Sequence, residues 1–113
     1  MRNKHSISAE LLPGTLEMLI LKTLTRGSAH GYGIARHLEQ TSAAVLQVGE
    51  SSLYPALQRL LVNGYVTAEW GATELNRRAR FYTITPAGRK RMAEESRGFD
   101  RMVGAITTIM QTA

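Results

Sequence analysis

The chain has 113 residues, 43% of them apolar, no cysteine, a net charge of +5 and a pI near 10.1. That length fits one domain, and the missing cysteines exclude a disulfide framework and thiolate chemistry, consistent with a reducing, cytoplasmic setting. The basic balance points to a polyanionic partner.

The charge is not evenly spread. Between Leu75 and Arg91 lie Arg77, Arg78, Arg80, Arg89, Lys90 and Arg91 with no acidic residue, which leaves the remainder of the chain at −1. The N-terminus, MRNKHSISAE, has no apolar core, and the greasy run Met18 to Leu21 is flanked by Glu17 and Lys22. Neither a signal peptide nor a membrane span is expected.

Residues 1–11 read as a flexible basic arm. From Pro13 to Arg26-Gly27 the residues Leu16, Met18, Leu19, Ile20, Leu21 and Leu24 predict a helix that is apolar nearly all round. Such a helix is buried in the core or partly against a second subunit. Ser28 to Gly33 reads as a turn. Ile34, Ala35 and Leu38 predict a second short helix ending near Thr41-Ser42, and the small and β-branched stretch Ala43 to Val48 predicts a short strand.

In Gly49 to Gly64 the apolar Leu53, Ala56, Leu57, Leu60 and Leu61 recur at steps of three and four, so they line one face of a helix. Pro55 belongs in a first turn, so the helix is expected to begin near Ser51 or Ser52, either of which can cap it; Asn63-Gly64 ends it. The opposite face carries Ser51, Ser52, Gln58 and Arg59, side chains able to bond to base edges or phosphates. Tyr54 sits at the edge of the two faces, placed to pack its ring or to offer its hydroxyl to a phosphate. Gln58 and Arg59 are either base readers, Gln for adenine and Arg for guanine, or solvated surface.

After Gly64 the period changes from 3.6 to 2. Val66, Ala68 and Trp70 alternate with Tyr65, Thr67 and Glu69, and Tyr82 and Ile84 with Phe81, Thr83 and Thr85. Gly71 to Ala79 joins them, so this is a hairpin with a basic tip carrying Arg77, Arg78 and Arg80. A hairpin directly after a helix-turn-helix pattern makes a winged helix-turn-helix, whose basic turn is suited to phosphate. Tyr32 and Arg36 on the second helix are further DNA-contact candidates.

Thr85 and Pro86 are a cap and a first helical residue for a last helix. Along it Met92, Phe99 and Ile106 fall seven residues apart, with Met102, Val103, Ile109 and Met110 between them. This apolar seam predicts a dimer through the last helix. The fold class is therefore mainly α with a small β-hairpin: a winged helix-turn-helix domain over 12–85 and a long dimerisation helix over 86–113. His30 and His37 are joined by no Cys or placed carboxylate that would complete a zinc site, and Glu94-Glu95 point apart on a helix, so no metal, cofactor or catalytic centre is expected.

The motifs His30-Gly31-Tyr32, Ser52-Leu53-Tyr54-Pro55-Ala56-Leu57 with Arg59-Leu60, Gly64-Tyr65-Val66, Trp70, and Tyr82-Thr83-Ile84-Thr85 with Gly88 together resemble the PadR-type transcriptional regulators, from about Leu12 to Gly88. The resemblance implies a dimeric winged-helix repressor of the compact subgroup with a single C-terminal helix. It puts the third helix, starting at Ser52 and Tyr54, in the major groove and the Arg77 to Arg80 wing on the backbone or minor groove. It also places Phe99 about where some members stack a flat aromatic effector at the dimer interface, so a small hydrophobic or aromatic ligand touching Phe99 is an expectation. The leading function is thus a sequence-specific regulator of double-stranded DNA, working as a homodimer on a near-palindromic operator, and not an enzyme. The alternative is a winged-helix protein-interaction module without specific DNA reading.

Overall fold

The computed structural model describes residues 7–8 and 13–112. In chain order these form β1 (Ile7–Ser8), α1 (Pro13–Leu24), β2 (Ala29–His30), α2 (Gly31–Thr41), β3 (Leu46–Gln47), α3 (Glu50–Val62), β4 (Val66–Ala72), β5 (Arg78–Ile84) and α4 (Pro86–Gln111). The result is a mainly α winged-helix fold with a three-stranded antiparallel sheet ordered β2-β5-β4. A parallel pair, β1 with β3, stands apart from it. The expected arm over residues 1–11 lies mostly outside the described residues; its Ile7–Ser8 form β1.

The core is the sum of the apolar faces read from the sequence. Leu16, Ile20, Leu21 and Leu24 of α1 meet Ile34 and Leu38 of α2, Leu53, Ala56, Leu57 and Leu60 of α3, and Val66, Tyr82 and Ile84 of the hairpin. Thr23 is the buried polar exception, and its hydroxyl donates to the Leu19 carbonyl at 2.9 Å, so burial leaves nothing unpaired.

Several boundaries differ from expectation. The strand expected over Ala43 to Val48 shrinks to Leu46–Gln47 because Ala43 and Ala44 are left-handed, and the joining segment Gly71 to Ala79 shrinks to 73–77 between β4 and β5. Ser28 to Gly33 is not a plain turn: Ala29 and His30 pair with Tyr82 and Phe81 as a third strand. The second helix then begins at Gly31, because the His30 ring caps it, its Nδ1 accepting from the Gly33 N–H at 3.1 Å. The third helix begins at Glu50, not at Ser51 or Ser52, and neither serine caps it. The Gly49 carbonyl accepts from the N–H groups of Ser52 and Leu53, so Gly49 is the cap residue and has no side chain to bond. Pro55 consequently lies beyond the first turn. It leaves the Ser51 carbonyl without a helical partner, at an exposed position where water can supply one.

The ends of α2 and α3 share one hydrogen-bond pattern. After α3, Gly64 N–H bonds Leu61 and Tyr65 N–H bonds Leu60; after α2, Ala43 N–H bonds Gln40 and Ala44 N–H bonds Glu39. The pattern demands a left-handed residue, which is Gly64 at φ 76 in one case and Ala43 at φ 52 in the other.

The last helix is fastened to the corner between α3 and β4. Thr85 N–H donates to the Tyr65 carbonyl at 3.1 Å and its hydroxyl to the Gly64 carbonyl at 2.8 Å, while the same hydroxyl oxygen accepts from Gly88 N–H as the α4 cap. Gly88 packs so closely that a Cβ there would lie 2.1 Å from the Tyr65 carbonyl oxygen. Arg91 adds its guanidinium over the Tyr65 ring. Beyond this joint α4 runs along α1 and then outward, where Met102 to Thr112 are exposed, and the molecule spans 56 × 37 × 21 Å.

Candidate nucleic-acid interface

Helix α3 divides as its periodicity dictates. Leu53, Ala56, Leu57 and Leu60 face the core, while Ser51, Tyr54, Gln58 and Arg59 are exposed and Ser52 is half-buried. Between α2–α3 and the hairpin lies an open cleft of about 990 Å³. Tyr32 and Arg36 of α2, Tyr54 and Gln58 of α3, and Trp70, Arg77, Arg78 and Arg80 of the wing all line it. Seven residues predicted from sequence to touch DNA are thus brought to one concavity: Tyr32, Arg36, Tyr54, Gln58, Arg77, Arg78 and Arg80.

Tyr54 packs its ring and stays open to the cleft at the same time. Its ring lies over Gly31, where a Cβ would come within 3.1 Å of it, yet the residue is 47% exposed. Gly31 thus lets the tyrosine approach the first turn of α2 closely, and a side chain there would push the ring aside by a few tenths of an ångström. On the same wall the Arg36 Nη1 donates to the Tyr32 hydroxyl at 3.2 Å, which fixes both along one helical stripe.

The wing supplies the opposite wall through strand alternation. Val66 pairs with Ile84, Ala68 with Tyr82, Trp70 with Arg80 and Ala72 with Arg78, all on one face of the hairpin. The inner half of that face is core, and the outer half turns into cleft at Trp70. There the Arg78 guanidinium lies 4.5 Å and that of Arg80 5.9 Å from the Trp70 ring centre. The tip is a tight loop held by Thr73 N–H to the Arg77 carbonyl, Asn76 N–H to the Thr73 carbonyl and Arg77 N–H to the Thr73 hydroxyl, with Asn76 left-handed at φ 57. Glu74 is an acidic residue on the cleft's edge.

Other candidates go elsewhere. Arg59 projects toward α1, where its Nε donates to Glu17 at 2.5 Å, and it does not line the cleft. Ser51 and Ser52 sit on the first turn of α3, outside the cleft lining. The basic run also splits: its wing arginines line the cleft, whereas Arg89, Lys90 and Arg91 start α4, and Arg91 pairs with Glu95 at 2.8 Å. Of the predicted dimer seam, Met92 packs on the protomer's own core and Phe99 is half-buried, while Met102, Val103, Ile106, Ile109 and Met110 are exposed. The residue missed as a site member is Trp70. Its alternation with Val66 and Ala68 was readable, but its pairing with Arg80 needed the hairpin register.

Among the described residues no helix is long and apolar enough to cross a membrane. Comparison with known proteins agrees with the architecture. Residues 20–94 match the model of the "Transcriptional regulator PadR-like family". A transcriptional regulator from Clostridium thermocellum, Cth-833, superposes with a TM-score of 0.80 at 27% identity, covering 88% of this chain and 97% of that one. A PadR family transcriptional regulator from Eggerthella lenta gives 0.77 at 26% identity, with 92% and 88% covered. An uncharacterized 37.1 kDa protein of transposon TN4556 from Streptomyces fradiae is 36% identical over 90 residues, and the chain spans 24% of its length. The family model and both solved structures are of transcriptional regulators, not enzymes. With the family model matching 20–94, the chain belongs to the PadR-like family of transcriptional regulators.

Proposed function

We propose that this regulator reads double-stranded DNA as a homodimer and represses transcription from a near-palindromic operator. The observation that carries the reading is the cleft. Two walls, one presenting Tyr54 and Gln58 from a capped helix and one presenting Arg77, Arg78 and Arg80, converge on a concavity. Amide and hydroxyl groups at a helix face suit base edges, and guanidiniums with no carboxylate partner among the described residues suit phosphates.

The dimer follows from α4. Met102, Val103, Ile106, Ile109 and Met110 leave a contiguous apolar stripe uncovered on the outer part of one helix, a pattern a second copy of the same helix can bury. Two reading helices related by a twofold axis then meet half-sites about one helical turn apart.

The test is selection from random duplexes at about 50 and 200 mM salt, over which phosphate contacts cost orders of magnitude in affinity. Recovery of an inverted repeat is expected. Tight binding without selection would overturn the specific reader, and no binding at either salt would overturn the DNA reading in favour of a protein partner.

A further inference from the structure

Arg78 and Arg80 raise a physical problem. They lie two residues apart on one strand face, so their guanidiniums repel, and long side chains on an exposed strand are costly to hold still. Among the described residues the ion pairs are Arg59–Glu17 and Arg91–Glu95, so neither wing arginine is fixed by a carboxylate. What both have is the Trp70 indole, at 4.5 Å from Arg78 and 5.9 Å from Arg80, with the Tyr82 ring a further 5.9 Å contact for Arg80.

An aromatic ring and a carboxylate differ in one respect that matters here. A carboxylate orients a guanidinium and cancels its charge; a ring face orients it and leaves the charge whole. Trp70 is also 58% exposed, far more than a ring placed there for core packing would be. Its register, opposite Arg80 and diagonal to Arg78, puts it within reach of both cations on the cleft face.

We propose that Trp70 is a positioning residue of the DNA interface, its indole holding Arg78 and Arg80 as a pre-ordered, fully charged pair for consecutive phosphates of one strand. The inference rests on the DNA reading above and names how its wing wall is organised. The side-chain ordering that binding requires is thereby completed in the free protein.

The experiment is equilibrium binding of a mixed-sequence duplex of about 30 base pairs to wild type, Trp70→Phe and Trp70→Leu across a salt series. Leu keeps the apolar bulk and removes the π face; Phe keeps the face. Trp70→Leu is expected to bind about five- to tenfold more weakly, with a salt slope shallower by about one unit, and Trp70→Phe to stay within about threefold of wild type. Thermal melting of Trp70→Leu is expected to match wild type because the ring is largely exposed. Trp70 is the chain's only tryptophan, so its emission should also respond when DNA binds the wild type. Equal affinity and slope for wild type and Trp70→Leu overturn the inference while leaving the DNA reading intact. Equal losses in the Leu and Phe variants overturn it in favour of a shape role for the indole. A wild type without salt-dependent binding overturns the DNA reading and this inference with it.

Discussion

Ala43 and Gly88 are two small residues whose backbones carry opposite kinds of constraint. Ala43 occupies, at φ 52, the left-handed position that ends α2, where its counterpart after α3 is Gly64. The left-handed conformation costs an L-residue about 1–2 kcal/mol, part of which a glycine returns as unfolded-chain entropy. Ala43→Gly is therefore expected to stabilise the fold by roughly 0.5–1 kcal/mol, a rise of a few degrees in Tm by calorimetry. A lower Tm would show that the alanine methyl has a use that the geometry does not reveal. Gly88 is the reverse case. Its missing side chain lets α4 seat against the Tyr65 carbonyl, and a methyl there would lie 2.1 Å from that oxygen and 2.9 Å from Ile84 Cγ1. The oxygen belongs to the backbone and cannot swing aside, so Gly88→Ala should cost about 3 kcal/mol or more, above the usual overpacking range. Denaturant melts of the variant would check this, and a loss under about 1 kcal/mol would mean that the joint can open without strain.

The wing contributes charge as a strand element: alternation places Arg78 and Arg80 on the cleft side while Phe81 and Thr83 face the other way. Replacing Arg77 and Arg78 together with Ala should weaken binding to all duplexes alike and lower the salt slope by about two units. A titration at four salt concentrations decides it, an unchanged slope placing the wing tip off the DNA. The elements that were legible in the sequence are those whose periodicity is local. The helices α1, α3 and α4 and the hairpin carry their own patterns in Leu16 to Leu24, Leu53 to Leu61, Met92 to Met110 and Val66 to Ile84. What escaped was set by distant partners. Ala29 and His30 become a strand only because Tyr82 and Phe81 lie alongside, 53 and 51 residues away in sequence. Imidazole is a rare cap, so Ser28 to Gly33 reads as a turn and the apolar pattern opens α2 only at Ile34, whereas the helix starts at Gly31. The helical wheel turns Arg59 outward, as base reader or solvated surface, but could not show its ion pair with Glu17 of α1, 42 residues earlier. The cleft itself was legible in its arginines and in Tyr54 and Gln58, and illegible in Trp70, whose role depends on cross-strand register.

For the whole molecule, the outer part of α4 is the feature that a single copy leaves unfinished. Ile106 is 50% exposed within the apolar stripe and lies outside the buried core, so Ile106→Asp should spare the fold. In the proposed dimer it would bury a carboxylate against a carboxylate, and sedimentation at micromolar concentration should show monomer. Binding to a two-half-site duplex should then fall by about 100-fold or more, while affinity for one half-site stays near wild type. An unchanged sedimentation coefficient would move the interface away from α4. The joint at Gly88 and Thr85 has a further mechanical consequence. With no slack between the end of α3 and the start of α4, α4 acts as a lever about 39 Å long at 1.5 Å per residue. Tilting that lever by about 5° sweeps its far end through about 3.4 Å, the axial rise of one base pair. In the proposed dimer, with two such levers clasped at their outer ends, small changes of crossing angle would become whole base-pair changes in the distance between reading heads, so operator spacing would be set by an angle.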